Sequence, residues 1–172
     1  MTMSTIVRAA HPDEYSAIGE MTVAAYAAGG ALADGDTGYV EALRDAGKRA
    51  VEAQLLVAVD ATTQEPLGTV TLCRFETKWS EIAQPDEAEI RMLAVTPGAW
   101  GHGVADELVR NAMSILRADG IRRAVLVVLN GNEPALRLYQ RHGFRRAPER
   151  DWEPVPGLLL LAHERQLAAT DG

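Results

Sequence analysis

Three glycines stand at the head of an apolar period in VTPGAWGHGVADELVRNAM (95–113): Gly98, Gly101 and Gly103. Glycine is costly in ordered backbone and is kept where the chain turns tightly or where a second body approaches the main chain. At a helix start, amides not yet used by the helix attract anions, so these residue types in this place point to an anion-binding loop. Two phosphate loops are excluded by the flanking residues. No Gly-Lys-Ser/Thr follows, which removes the Walker loop. Asp106 stands where the dinucleotide fingerprint needs its third small residue, and its carboxylate would repel a pyrophosphate. A strand-to-helix turn without a ligand is the plainer reading of the glycines alone.

A second stretch, NEPALRLYQRHGF (132–144), places Ala135, Leu138, Tyr139 and His142 on one helix face, with Asn132 before Glu133-Pro134 as a good N-cap. Other chemistries find less support. Cys73 lies in an alternating apolar run and reads as a buried thiol. As the single cysteine it excludes an internal disulfide and fits a reducing compartment. His11, His102, His142 and His163 lack metal-ligand spacing, so no metal is expected. The net charge of -7 argues against a nucleic-acid footprint. The N-terminus has no apolar signal segment, and the longest apolar run, GLLLLA at 157–162, is far below the ~20 residues of a membrane span. A soluble, cytoplasmic protein is expected, with one domain over 1–166 and a frayed tail over 167–172.

These residues need a scaffold, which the hydrophobic pattern outlines. Residues 5–9 read as a strand, and His11-Pro12-Asp13 as a turn and helix start; Ile18, Met21 and Ala25 carry a helical stripe to about residue 28. A glycine-rich loop over 29–38 and a second helix over 39–53 follow. Strands are expected at 54–60, 67–75 and 88–95, the first two antiparallel through ATTQEP. Past the glycines, Val104, Leu108, Ala112, Ile115 and Leu116 share a helix face as far as Asp119-Gly120. RRAVLVVL (122–129) is apolar and β-branched after its arginines, as in a strand covered on both faces. A helix over 133–142 and strands around 143–147 and 157–166 complete the order β-α-α-β-β-β-α-β-α-β-β. Strands 88–95 and 122–129, with the helix between them, make a parallel pair inside a mixed sheet.

Together the two stretches resemble the GNAT superfamily of N-acetyltransferases, along the whole chain rather than in one patch. That family carries Gln/Arg-x-x-Gly-x-Gly/Ala between its fourth strand and third helix, matched here by Trp100, Gly101, His102, Gly103, Val104 and Ala105. It also carries Asn-x-x-Ala-x-x-x-Tyr-x-x-x-Gly-Phe, matched at Asn132, Ala135, Tyr139, Gly143 and Phe144. The first motif is moderately specific; the pair, in this order and spacing, is strongly so. The resemblance implies an α/β fold with a mixed, mostly antiparallel sheet, a splayed parallel strand pair and about four helices. It implies acetyl-CoA as acetyl donor, its pyrophosphate received by the amides of 101–105, with Gly103 and Ala105 keeping that surface low. It also implies that the main chain around Leu93, Ala94 and Val95 runs beside the pantetheine arm. Trp100 departs from the family's Gln or Arg, which removes a polar contact and leaves the main-chain ones.

Acetyl transfer to an amine needs a neutral amine, a donor for the developing oxyanion and a proton for the leaving thiolate. The resemblance assigns the proton to Tyr139, whose phenol of ordinary pKa ~10 can protonate a thiolate near ~8–9; a core tyrosine on an amphipathic helix is the alternative. Glu89 is the candidate base, in the place where histone-type members carry a glutamate, against an exposed strand-end carboxylate. A main-chain N–H near Met92–Leu93 would polarise the oxyanion, and Asn132 and Ala135 would flank the pantetheine. Arg145, Arg146 and Arg150 either reach the 3′-phosphate or form a solvated basic edge. The expected partner is an amine-bearing, cationic acceptor, because Glu76, Glu81, Asp86, Glu87 and Glu89 gather before and within one strand. No nucleic acid or membrane is expected, and a homodimer is left open. A non-catalytic acyl-CoA-binding or sensing module is the other reading.

Overall fold

The computed structural model describes residues 3–32 and 37–167. The middle of the expected glycine-rich loop (33–36) and the tail from 168 onward lie outside the described residues. Strands β1 (Thr5–Ala9), β2 (Gln54–Asp60), β3 (Pro66–Arg74), β4 (Glu87–Val95), β5 (Arg123–Leu129), β6 (Arg145–Arg146) and β7 (Leu160–Gln166) form one sheet. Its order is β1-β2-β3-β4-β5-β7-β6, and every neighbouring pair is antiparallel except β4–β5. The expected strand at 143–147 shrinks to two residues, because Gly143 at φ +80° and the Phe144 N–H on the Tyr139 carbonyl (3.0 Å) still belong to a helix end. The strand expected from 157 begins at Leu160, since the Leu158 N–H closes a turn on the Val155 carbonyl at 3.0 Å.

Among the described residues there are five α-helices, one more than expected: α1 (Tyr15–Ala28), α2 (Thr37–Arg44), α3 (Ala46–Glu52), α4 (Val104–Ala118) and α5 (Glu133–Arg141). The single helix expected over 39–53 breaks at Asp45, which leaves helical geometry at ψ 66° and accepts the Lys48 N–H at 3.0 Å as N-cap of α3. α2 ends against Arg49, whose Nη1 donates to the Ala42 and Leu43 carbonyls at 2.7 Å each.

Strand alternation sorts side chains into two layers. Leu56, Ala58, Val70, Leu72, Ala88, Ile90, Ala124, Leu126 and Val128 meet α4 and α5 through Val104, Leu108, Ala112, Leu116, Leu138 and Tyr139. Leu55, Val57 and Val59 turn to the opposite face, against Ile18 of α1 and Ala46 of α3. The start of α4 presses close to the sheet at Gly68. A Cβ there would lie 2.9 Å from the Ala94 carbonyl oxygen and 3.0 and 3.1 Å from Leu108 and Val104.

The parallel pair is short. β4 and β5 are in register only at Glu87–Arg123, Ala88–Ala124 and Glu89–Val125, yet β4 runs on to Val95 and β5 to Leu129. The two strands therefore part after Glu89 and leave a slot. On its other side β4 stays paired to β3, with a bulge: Thr71 faces Arg91 and Thr69 faces Ala94, so Val70 alone opposes Met92 and Leu93. Met92 takes φ +52°, left-handed for a residue with a side chain.

Candidate active site

α4 begins with no side chain capping it. Its N-cap is Gly103 at φ +82°, preceded by Gly101 at φ +81°, and open space lies where either Cβ would project. Left-handed backbone costs a side-chain-bearing residue about 1–2 kcal/mol, which is why glycine holds these places. First-turn amides have no partner within a helix. With no side-chain cap, those of Val104 and Ala105 stand at the positive end of the helix dipole, facing an uncrowded surface. That arrangement fits a pyrophosphate. Asp106, the residue that argued against a phosphate, is held by Arg141 at 3.1 Å and by His142 Nε2 at 2.8 Å. Burial pushes its carboxyl up, but the hydrogen bonds from His142 and Arg141 outweigh it, so it stays below the usual range. The same contacts tie α5 to α4. Trp100 is half exposed and folds back, its indole N–H on the Val95 carbonyl at 2.7 Å. His102 is exposed.

The slot is edged by β4. Phe75 N–H bonds the Glu87 carbonyl at 3.2 Å, and Thr96 N–H bonds the Leu67 carbonyl at 2.8 Å. Stepping in twos from each end brings Arg91 and Ala94 onto the β3 side. Leu93 and Val95, beyond the bulge, turn their main-chain groups to the other edge, where β5 has departed. Ala94 is buried and its main chain belongs to the β3 ladder.

Across the slot stands α5. Asn132 is its N-cap, accepting the Ala135 N–H at 3.3 Å. Tyr139 is buried in the α4-side core, edge-on to Phe144 with ring centroids 5.6 Å apart. Burial raises its phenol well above the ordinary value, which keeps it protonated.

Glu89 faces that opposite layer and is wholly buried, not an exposed strand-end carboxylate. Its Oε2 accepts from Glu81 N–H at 2.6 Å, Ile82 N–H at 3.0 Å and the Ser80 hydroxyl at 3.3 Å, which pins the loop before β4. Its Oε1 has no hydrogen bond; Arg91 Nε lies 3.9 Å away. Arg91 itself holds Glu81 at 3.0 Å and the Trp79 carbonyl at 2.7 Å. Glu87 is paired with Arg150 at 2.6 Å and Arg123 at 3.2 Å. The expected acidic rim is thus partly neutralised, with Glu76 and Asp86 left exposed. Arg150 is committed to Glu87 and the Ile82 carbonyl, and Arg146 to Asp151, so neither is a free basic edge; Arg145 is exposed.

Cys73, opposite Glu89 in the register, is fully buried, and burial pushes its thiol up to about 12. It is inert at neutral pH. Sequence reasoning passed over Arg49, Tyr26, Tyr39 and the Met92 bulge. An arginine in a polar helical stretch carries no sign that it will be buried. The only trace of the bulge is the unbroken apolar run from Met92 to Val95.

Comparison with known proteins identifies the family and the fold. The sequence model of the acetyltransferase (GNAT) family matches residues 26–144. The mycothiol acetyltransferase of Beutenbergia cavernae is 38% identical over 66 residues, which are 38% of this chain and 22% of that protein. The phosphinothricin N-acetyltransferase of Streptomyces coelicolor is 33% identical over 92 residues, 54% of this chain and 52% of that one. The matches thus span from about a fifth to about half the length of these relatives. Among solved structures, an acetyltransferase of the GNAT family from Staphylococcus aureus Mu50 superposes with a TM-score of 0.74 at 14% identity, over 96% of this chain and 100% of that one. The PaiA N-acetyltransferase of Thermoplasma acidophilum, solved in complex with coenzyme A, gives 0.70 at 18% identity over 95% and 99%. At such identities the structural likeness is one of fold.

Proposed function

The chain belongs to the GNAT acetyltransferase family, and from that premise we propose that it moves an acetyl group from acetyl-CoA to a primary amine of a small molecule or peptide by direct attack. The observation that carries the reading is the meeting of an uncapped, glycine-led helix start with the slot where β4 leaves β5. Bound acetyl-CoA supplies the acetyl group and a thiolate leaving group. The chain does the rest. The amides of Val104 and Ala105, with Gly101 and Gly103 bare beside them, hold the pyrophosphate. Leu93 and Val95 orient the pantetheine along an unpaired strand edge, although the Val95 carbonyl already serves Trp100. The bulge at Met92–Leu93 offers an N–H to developing negative charge. Tyr139 holds a proton at its hydroxyl for the leaving sulfur, and Glu89 Oε1 is an unused acceptor on the amine's side. The acceptor is an amine that meets Glu89 across the sheet, cationic until it loses its proton.

The reading is tested by free-thiol release from acetyl-CoA against a panel of polyamines, amino acids, aminoglycosides and peptide N-termini, with at least one turned over. Gly103→Glu puts a side chain and a negative charge where open space now lies. Acetyl-CoA affinity measured by calorimetry should fall at least about 10²-fold, with circular dichroism unchanged and a loss of about 1–2 kcal/mol in stability. Unchanged affinity in a folded variant would remove the cofactor site.

A further inference from the structure

α5 is a short helix with few holds on the rest of the molecule. It has nine residues, and only Leu138 and Tyr139, toward its C-terminal end, are buried. A helix of that length is marginal alone, so its place is set by what it touches. Among the described residues, the side chains of α5 and of its cap residue His142 make polar contacts to one residue of another element, Asp106 of α4. Arg141 Nη2 donates to Oδ1 at 3.1 Å and to Oδ2 at 3.2 Å. His142 Nε2 lies 2.8 Å from Oδ1, where an ionised carboxylate requires it to donate. That hold leads straight to Tyr139. The His142 N–H bonds the Tyr139 carbonyl at 3.1 Å and the Leu138 carbonyl at 3.3 Å. The Phe144 N–H bonds the Tyr139 carbonyl at 3.0 Å, and the Phe144 ring stands edge-on to the phenol. His142 cannot shift without taking this helix end, and the phenol, with it.

Asp106 is a poor choice for its place on other grounds. It stands in the first turn of α4, whose start is the proposed pyrophosphate site, and a carboxylate there opposes an arriving phosphate. Its side chain is 25% exposed, so water weakens that charge without removing it. Complementing the helix dipole does not require it, since Glu107 in the same turn carries the same charge. Glu107, however, pairs within α4, with Arg110. What Asp106 alone does is reach α5.

We infer that Asp106 is a positioning residue for Tyr139, holding the end of α5 against the start of α4 through His142 and Arg141. This rests on the acetyltransferase reading and on Tyr139 as donor to the leaving sulfur. The residue that weakens the hold on the cofactor fixes the group that assists its thiolate. Binding and turnover therefore respond to Asp106 in opposite directions.

The test is Asp106→Ala, with the isosteric Asp106→Asn should alanine not fold. Acetyl-CoA affinity by calorimetry should rise about two- to fivefold, the worth of one surface charge at a helix start, with Arg141 released beside it. At the same time kcat should fall at least about tenfold, because a small misplacement of an assisting group is costly. In a Tyr139→Phe background the same change should lower kcat less than about twofold, since the group being positioned is gone. His142→Ala should lower kcat with no gain in affinity. A contact serving stability alone would leave affinity and kcat moving together or not at all. Unchanged kcat in a folded Asp106 variant, weaker acetyl-CoA binding, or an equal loss of kcat in the Tyr139→Phe background overturns the proposal. Near-parental kcat in Tyr139→Phe alone removes the donor, and this role with it, while the acetyltransferase reading stands. Should no amine be acetylated, that reading falls, and coenzyme A calorimetry with amide exchange decides the tether. Tighter binding with protection lost at His142 and Phe144 but kept in β3 supports it; protection unchanged at those two amides overturns it.

Discussion

Tyr139 shows how much a single residue can be made to say. The spacing of Ala135 and Tyr139, four apart on one helix face, places a small residue where a phenol can reach past it, and the structure buries that phenol beside Phe144. Burial raises it, so the proton stays on until a strong base approaches. A thiolate near ~8–9 is a weaker base than that phenolate, so the phenol assists chiefly by donating a hydrogen bond to the sulfur as negative charge builds on it. Tyr139→Phe preserves the ring packing and removes only the hydroxyl. General acid assistance is worth roughly 10²–10⁴-fold, so kcat should fall by at least about 10² while acetyl-CoA affinity measured by calorimetry hardly moves. A folded phenylalanine variant with near-parental kcat reduces Tyr139 to a core residue. Glu89 carries a contrasting lesson. Its position in the strand is legible from AEIRMLAV, but its division of labour is not. One oxygen binds three loop donors and the other is unused, and that follows from a loop whose course no local pattern dictates. Arg49 was beyond reading altogether, because its burial depends on α3 folding back over β2 and on α2 ending against it.

At the scale of elements, the sequence was most informative where hydrophobic periodicity was long. β2, β3, β4, α4 and β5 fall within about a residue of their expected bounds, since each buries one face or two and the pattern has to repeat. Periodicity fails at junctions. The break between α2 and α3 turns on one side-chain cap at Asp45, set inside a stretch that is helical in composition on both sides. The bulge fails differently. Ala88 and Ile90 face the α4 core before it and Leu93 and Val95 after it, so the alternation changes phase inside a uniformly apolar run. Element starts also carry measurable electrostatics. Glu14, in the turn before α1, bonds Arg8 of β1 at 2.6 and 2.9 Å and accepts the His11 N–H at 2.8 Å. The hydrogen bond from Arg8 leads the causes that draw its carboxyl from 4.5 to about 2, outweighing the opposing effect of burial. A carboxyl lowered on folding adds stability that is complete above its unfolded value and is lost as pH falls through its folded value. Urea midpoints of the native protein and Glu14→Gln should therefore differ at neutral pH and draw together as pH falls from about 4.5 toward about 2. A gap that stays constant across that window would mean that the pair contributes packing and no charge.

Over the whole molecule, the central fact is that a sheet otherwise paired edge to edge is deliberately left open in one place. β4 is bound to β3 along its length and to β5 for three residues only, so its outer edge beyond Glu89 has no strand partner, and of its main-chain groups the Val95 carbonyl takes the Trp100 indole N–H. Such an edge is a template for an extended ligand carrying amide groups of its own. Everything the site uses is arranged around that opening. The glycine-led start of α4 lies where β4 ends, α5 and Tyr139 stand across from it, and Glu89 turns its side chain to the far face of β4. If the slot receives the pantetheine arm, amide exchange will register it residue by residue. In the free protein Leu93 and Val95 should exchange faster than Ala94, whose main chain is held in the β3 ladder. With acetyl-CoA at about 100 times its dissociation constant, global stability should rise by about 2.7 kcal/mol. Protection at Leu93 and Val95 should then rise further, because their amides acquire a partner they lacked, whereas Ala94 should gain only the global increment. Exchange at Leu93 as slow as at Ala94 in the free protein would mean that the edge is already covered. Saturation with acetyl-CoA that leaves Leu93 and Val95 no better protected than the rest of the sheet would place the arm elsewhere, and the parting of β4 from β5 would need another cause.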